Sequence, residues 1–178
     1  MRMDFMTKTD ENLKAAAAGE ALARNRYSYY AEMAKKEGYR YIAKIFEEIA
    51  ENEKYHAIEE LKLLLGNRST LSNLTESVNG EQYESEDMYP RFAAEAEVEG
   101  NQAATVLFKQ IAKIESQHHD RFKKLLEMVA AGNVFKRDVP IKWKCSICGY
   151  AHEGLEPPNR CPYCKRPQEY YEPANLDV

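Results

Sequence analysis

One four-residue pattern occurs twice in this chain, each time late in a long segment with helical periodicity. Glu53-x-x-His56 recurs 62 positions later as Glu115-x-x-His118. Because residues i and i+3 lie on one face of a helix, each copy can present a carboxylate oxygen and an imidazole nitrogen to the same cation. The sequence therefore predicts two metal ions held by helices.

The 62-residue offset matches other positions too, which indicates an internal duplication. It superimposes Tyr27 on Tyr89 and Phe46 on Phe108, and it aligns two Glu-Gly pairs. A duplicated helical hairpin explains these matches better than chance does.

Apolar periodicity predicts four amphipathic helices, over residues 10–37, 41–65, 77–99 and 102–131. A glycine follows each of them, at Gly38, Gly66, Gly100 and Gly132. The short connections after the first and third helices predict antiparallel hairpins, and the polar residues 67–76 are expected to cross between the hairpins. The predicted fold is an all-α four-helix bundle.

Carboxylates interrupt the apolar stripes of these helices. Glu20, Glu53 and Glu115 stand at core spacing, and Glu81 and Glu84 share a face of the third helix, which Pro90 is expected to kink. In the second helix the predicted core positions also include Ile42, Ile45, Ile49, His56 and Leu63. A buried, unpaired carboxylate is costly, so the converging acidic groups call for cations.

Other polar residues of the helices have an ordinary interpretation. An isolated glutamate on a helix is usually a solvated surface group. That interpretation applies to Glu47, Glu48, Glu59, Glu60 and Glu127. His119, next to His118, is expected to face solvent.

Composition excludes several classes of partner. The net charge is -4 and the pI is about 5.7, without a dense Lys/Arg cluster, so no nucleic acid is expected. No apolar run reaches membrane-spanning length, and residues 1–11 lack the apolar core of a signal peptide. We therefore expect no membrane association and a cytoplasmic location.

All four cysteines lie near the end of the chain, which predicts a second, small domain. Cys145-x-x-Cys148 and Cys161-x-x-Cys164 can form a tetrahedral thiolate site, and a tail of roughly 40 residues usually needs such a site in order to fold. We place the domains at residues 1–138 and 139–178. A structural zinc ribbon is one interpretation; the Cys-Gly-Tyr and Cys-Pro-x-Cys details and Trp143 favour iron.

Taken together, the chain resembles the rubrerythrin family, in which a ferritin-like di-iron bundle precedes a rubredoxin-like domain. The resemblance covers essentially the whole chain. It is carried by Gly19-Glu20, residues 23–27, Glu53-x-x-His56, Glu81-x-x-Glu84, Met88-Tyr89-Pro90, Glu115-x-x-His118 and both cysteine pairs. The connection over residues 66–80 looks shorter than in some relatives.

The resemblance implies a role for each ligand. Glu53 and Glu115 would bridge two irons, and Glu20 would bind one of them terminally. Glu81 and His118 would complete the coordination of the other iron. Glu84 and His56 would alternate as ligands of one iron as the oxidation state changes. Tyr27 and Tyr89 are implied hydrogen-bond partners of these carboxylates, and core aromatic residues are the alternative interpretation.

The resemblance also implies an activity, namely the reduction of hydrogen peroxide to water in oxidative stress defence. Three iron ions per chain would serve it, one of them held as Fe(Cys)4, and zinc or manganese can substitute. No Gly-x-Gly-x-x-Gly fingerprint occurs, so electrons would come from a rubredoxin or an NAD(P)H-dependent reductase. A helix of about 25 residues spans roughly 37 Å, so a homodimer or larger assembly is expected, with one chain's tail serving the other's di-iron site.

Two alternatives remain open at this stage. One is a ferroxidase or iron-handling protein that consumes oxygen. The other is a metal-stabilised peroxide sensor or binding protein, with zinc in the tail.

Overall fold

A computed structural model of the chain describes residues 6–175. The predicted absence of a signal peptide rests partly on residues 1–5, which lie outside the described residues. The chain divides into two compact units, one ending at Arg68 and the other beginning at Ser69. No described helix is both long enough and apolar enough to cross a membrane.

The first unit is a helical hairpin made of α1 (Lys8–Lys36) and α2 (Arg40–Leu65). Helix α1 begins at a capping box. The Thr7 side chain accepts a hydrogen bond from the Asp10 amide, and the Asp10 side chain accepts one from the Thr7 amide. Gly38 has φ of 88° and reverses the chain between the helices, where a residue with a Cβ would be strained. Both predicted helices of this unit are confirmed to within two residues at each end.

Alanines form the buried contact between α1 and α2. Ala31, Ala34 and Ala43 make a cluster to which the ring of Phe46 is added. Small side chains let two helix backbones approach closely, so the longer side chains lie beside the contact. The predicted core positions Ile42, Ile45 and Ile49 are 37–47% exposed, and Leu63 is 75% exposed. They lie outside the buried contact between α1 and α2.

The second unit begins earlier than predicted. Helix α3 (Thr70–Tyr83) is followed by a π-helical turn (Glu84–Met88), α4 (Tyr89–Val98) and α5 (Gln102–Ala130). The predicted crossing loop over residues 67–76 was therefore mostly wrong, because Ser69 caps α3 by accepting from the Ser72 amide.

Pro90 does not break the helical run. It lies at the start of α4, directly after the π-helical turn, where the hydrogen-bond pattern already changes. A proline in a helix interior removes one i to i−4 hydrogen bond and crowds the preceding turn, and the wider π-helical turn accommodates both effects. The expected distortion at Pro90 thus takes the form of a π-helical turn.

In the second unit, α3 and α4 pack against α5 and form a second hairpin. The contacts inside the two hairpins repeat one another. The Tyr27 and Phe46 ring centroids lie 6.2 Å apart, and those of Tyr89 and Phe108 lie 6.1 Å apart. The turn repeats as well, with Gly38 matched by Gly100, whose φ is 75°. The two hairpins therefore share the same internal contacts.

One duplicated contact is reversed in charge. The ion pair between Lys35 and Glu47 becomes one between Glu97 and Lys109, with each residue 62 positions further on. Both pairs are about half exposed, so each adds little to stability. The duplicated positions thus carry opposite charges in the reverse order.

Three strands follow α5, namely β1 (Ile141–Cys145), β2 (Ala151–Gly154) and β3 (Tyr171–Pro173). They form an antiparallel sheet of order β2-β1-β3. A small core contains Trp143, Cys145, Cys161 and Tyr171, all at most 4% exposed. The predicted fold class, mostly helical with a small cysteine-bearing domain at the end, is confirmed. The domain boundary at residues 138 and 139 stays a prediction.

The close alanine contact between α1 and α2 predicts that a larger side chain there destabilises the first hairpin. Ala43 is 0% exposed, so Ala43→Leu overpacks the interface and is expected to lower the free energy of unfolding by about 1–3 kcal/mol. Urea unfolding followed by circular dichroism measures this. The matched control is Ala15→Leu on the exposed face of α1, expected to change the free energy by less than about 0.5 kcal/mol. Equal effects of the two substitutions would contradict the packing argument.

Candidate metal centres

The four cysteines of the tail form one compact cluster. The Sγ atoms of Cys145 and Cys164 lie 3.7 Å apart, and those of Cys148 and Cys161 lie 3.6 Å apart. Disulfide sulfurs would be about 2 Å apart. A tetrahedron with metal–sulfur bonds of about 2.3 Å has edges of about 3.8 Å. The cluster therefore fits one tetrahedrally bound metal ion.

Two similar backbone turns present these sulfurs. The amide of Gly149 donates to the Cys145 carbonyl at 2.8 Å, and that of Lys165 donates to the Cys161 carbonyl at 3.0 Å. Gly149 has φ of 76° and Lys165 has φ of 62°. Sequence reasoning found the glycine but missed the lysine, because only glycine adopts this conformation without strain and so marks it in a sequence.

Hydrogen bonds inside the cluster favour thiolates at two positions. Burial opposes ionisation of the Cys161 thiol, but the backbone amide of Cys164, the Tyr171 hydroxyl and the backbone amide of Tyr163 outweigh it and lower its pKa to about 6. At Cys145, burial is likewise outweighed by neighbouring backbone amides, and the pKa is lowered.

A third cysteine behaves differently. The backbone amide of Tyr150 favours the Cys148 thiolate, but burial and the neighbouring sulfurs prevail and raise its pKa to about 12. Four thiolates cannot coexist in so small a volume without a cation, because their charges repel. The soft thiolate donors thus fit a divalent or trivalent cation such as iron or zinc.

The first hairpin brings together three of the predicted ligands. Glu20 on α1 and Glu53 and His56 on α2 each offer an atom within 4.8 Å of the others. His56 Nδ1 lies 2.8 Å from a Glu53 oxygen. Burial is the main cause of the raised pKa of Glu20, and the charge of Glu53 adds to it. The group is an acidic cluster that a cation would stabilise.

The second hairpin repeats the arrangement with Glu81, Glu115 and His118, whose ligand atoms also lie within 4.8 Å of one another. His118 Nδ1 is 2.6 Å from a Glu115 oxygen and 3.6 Å from a Glu81 oxygen. Burial raises the pKa of Glu81 most, followed by the hydrogen bond that its protonated carboxyl donates to Glu115 and by the charge of Glu115. Beside the cluster is a cavity of about 380 Å³, lined by Glu81, His118, Arg121, Phe122 and Leu125.

Glu84 lies outside both groups of three, at the start of the π-helical turn. It is nevertheless near enough to act on its neighbours: the pKa of Tyr89 is raised by burial first and by the charge of Glu84 next. Tyr89 is thus near enough to these carboxylates for their charges to affect its pKa, and its role as their hydrogen-bond partner stays a prediction. Tyr27 packs its ring against Phe46 and Tyr30, which agrees equally with a core aromatic residue.

Two polar residues differ from their predicted surroundings. Glu60, expected to be solvated, is half-buried, and its Oε2 is inaccessible and lacks a hydrogen-bond partner in the described part of the chain. Its position one turn after His56 was the available signal. His119, expected to face solvent, is half-buried, and its Nδ1 lies 3.1 Å from the Val78 carbonyl oxygen of α3. The packing of α3 against α5 explains this contact.

Two family models and several known proteins match this chain. A family model described as rubrerythrin matches residues 11–126, and one described as the rubrerythrin rubredoxin-like domain matches residues 143–172. A rubrerythrin of Clostridium perfringens is 42% identical over 93% of this chain and 94% of its own. A rubrerythrin of Porphyromonas gingivalis is 42% identical over 96% and 92%. A nigerythrin of Nitratidesulfovibrio vulgaris is 36% identical over 92% and 85%.

The acidic clusters predict how the metal-free protein responds to pH. A raised pKa means that the folded state holds the Glu81 proton more tightly than the unfolded chain. The resulting stability is complete below the ordinary value of 4.5 and is lost as the pH rises through the folded pKa. Thermal unfolding of metal-free protein should therefore shift to lower temperature between pH 4.5 and pH 7.

Glu81→Gln isolates this effect, because glutamine has the same shape but does not ionise. The variant is expected to lose less stability than the parent over that pH interval. Glu127→Gln, at an exposed position of α5, is the matched control and should keep the parent's pH dependence. An identical pH dependence in Glu81→Gln and the parent would refute the assignment of this loss of stability at higher pH to Glu81.

Proposed function

Because the chain belongs to the rubrerythrin family, we propose that it is a non-haem di-iron peroxidase that reduces hydrogen peroxide to water. The observation that carries the proposal is the presence, in one chain, of two carboxylate–histidine clusters and a tetrathiolate cluster. The family assignment supports an oxidoreductase with a di-iron centre that serves in oxidative stress defence. The claim that hydrogen peroxide is the oxidant goes beyond the family assignment and is tested by the stopped-flow experiment below.

We assign the di-iron ligands as Glu20, Glu53, His56, Glu81, Glu84, Glu115 and His118. Bound iron would supply two electrons by changing between its ferrous and ferric states. The overall reaction takes one hydrogen peroxide, two electrons and two protons to two waters.

Cys145, Cys148, Cys161 and Cys164 would hold the third iron, which would pass electrons one at a time to the di-iron centre. Without a dinucleotide fingerprint in the sequence, the electrons are proposed to come from a separate rubredoxin or an NAD(P)H-dependent reductase. Residues 118–130 of α5 extend about 18 Å beyond the second cluster before the tail begins. This length supports a homodimer or larger assembly in which one chain's tail serves another's di-iron site.

Stopped-flow oxidation tests the proposed oxidant. Iron-loaded protein, reduced without oxygen, is mixed separately with hydrogen peroxide and with dissolved oxygen while the ferric-thiolate absorption is followed. We expect peroxide to restore the colour much faster than oxygen does. Faster oxidation by oxygen would favour a ferroxidase, and iron-loaded protein without this absorption would favour a zinc-clamped sensor or binding protein.

The tyrosine beside the second cluster gives a sharper test of the site. Tyr89→Phe removes the hydroxyl that lies among Glu81, Glu84 and Glu115, and is expected to slow peroxide-driven oxidation by about 10- to 100-fold. Tyr29→Phe is the matched control, because Tyr29 is 58% exposed and lies outside the clusters. Equal rates for both variants would show that Tyr89 serves only to fill the core.

A further inference from the structure

One side chain organises the link between α5 and β1, residues 131–140. Arg137 lies in this link and is half-buried. Its Nη1 donates to the Lys136 carbonyl at 2.7 Å and to the Val134 carbonyl at 3.2 Å. A guanidinium suits this place, because it carries several donors in one rigid plane and the C-terminal end of a helix favours a nearby cation. Arg137 therefore stabilises the path of the chain as it leaves α5.

The same residue contacts two parts of the small domain. Its guanidinium carbon lies 5.2 Å from the centroid of the Trp143 ring, within the range of a cation–π contact. Trp143 belongs to β1 and is 0% exposed, so this contact is made with the core of the domain. The Arg137 backbone amide donates at 2.9 Å to the carbonyl of Leu155, directly after β2. One residue thus ties the link to the domain core and to the chain after β2.

The strands themselves contribute little to holding the small domain against the helices. None of the three strands packs extensively on a helix in the described part of the chain. Lys136 and Glu156 form an ion pair across the link at 3.7 Å, but both side chains are more than half exposed, so the pair adds little stability. The contacts of Arg137 are therefore the main restraint that the described residues place on the orientation of the domain relative to α5.

We propose that Arg137 is a positioning residue, which holds the tetrathiolate domain in one orientation relative to α5 and so sets the geometry of electron delivery to the di-iron centre. This rests on the proposed function, in which the domain passes electrons to such a centre. Each transfer oxidises the tetrathiolate iron by one electron and reduces the di-iron centre by one. A domain that rotates freely would spend only part of its time in the productive geometry. Arg137 belongs to none of the ligand clusters among the described residues, so it acts through orientation.

Hydrogen exchange tests whether Arg137 holds the link. The full-length protein is loaded with zinc, so that the result does not depend on iron. Arg137→Gln removes the guanidinium but keeps the backbone amide that donates to Leu155. We expect that amide to exchange about tenfold faster in the variant, because the link opens more easily. The amides of β1 and β3 should keep the parent's protection, which verifies that the small domain stays folded.

Two further variants separate position from charge. Arg137→Lys keeps the positive charge but lacks the planar group that stacks on a ring while donating to carbonyls, so it should behave like Arg137→Gln. Arg166→Gln is the matched control, because the guanidinium carbon of Arg166 lies 5.4 Å from the centroid of the Tyr170 ring, inside the small domain. It removes the same charge and a similar cation–π contact without removing any contact of Arg137, and should exchange like the parent.

Stopped-flow oxidation tests the consequence for electron delivery. Reduced, iron-loaded Arg137→Gln is mixed with hydrogen peroxide. We expect its di-iron centre to be oxidised at the parent's rate and its ferric-thiolate colour to return about tenfold more slowly. A spectroelectrochemical titration should give the parent's reduction potential for the tetrathiolate iron, which separates a change of geometry from a change of driving force. Arg166→Gln should match the parent in both rates and in the potential.

The outcomes separate this inference from the proposed function. Exchange at the parent's rate in Arg137→Gln would overturn the role of Arg137 in the link, and restoration of the parent's behaviour by Arg137→Lys would assign that role to charge instead of position. Faster exchange with the parent's rate of colour return would overturn the effect on electron delivery and leave the proposed function intact. An iron-loaded parent without ferric-thiolate colour would overturn the proposed function, and exchange in the zinc-loaded protein would still decide whether Arg137 holds the link.

Discussion

Repulsion between carboxylates held close together is the constraint on which the helical part of this protein depends. Each hairpin brings two glutamates and a histidine within 4.8 Å, and burial with neighbouring charge raises the pKa of Glu20 in one cluster and of Glu81 in the other. Alanine packing makes this convergence geometrically feasible, because it lets two helices approach closely. A cation relieves the repulsion, so the features that weaken the metal-free fold are those that bind metal.

In the small domain, cysteine sulfurs take the place that carboxylates have in the helical clusters. Two of its four cysteines, Cys145 and Cys161, are fully buried members of the core, together with Trp143 and Tyr171. A domain of about 40 residues has too little apolar area to fold securely by burial alone. The metal site is therefore part of the core and not an addition to it.

The sequence was most informative where periodicity and chemistry agreed. Glu53, His56, Glu115 and His118 could be placed because a charged residue at core spacing has few explanations, and the cysteine spacing predicted the second site in the same way. The sequence was least informative where the outcome depends on packing between helices. The exposure of Ile42 and the contact of His119 with Val78 follow from which helix faces meet, and local periodicity does not contain that information.

The π-helical turn explains how the two hairpins form equivalent clusters although the spacing between glutamate and tyrosine differs by one residue. Tyr27 and Tyr89 match at an offset of 62, whereas Glu20 and Glu81 match at 61, so the second unit has one extra residue between glutamate and tyrosine. A π-helical turn absorbs one residue within a helix, and it occupies residues 84–88, between these two positions. Glu84, which has no acidic counterpart in α1, lies at its start. The inserted residue thus keeps Glu81 in the group with Glu115 and His118 and brings a third acidic residue, Glu84, near that group.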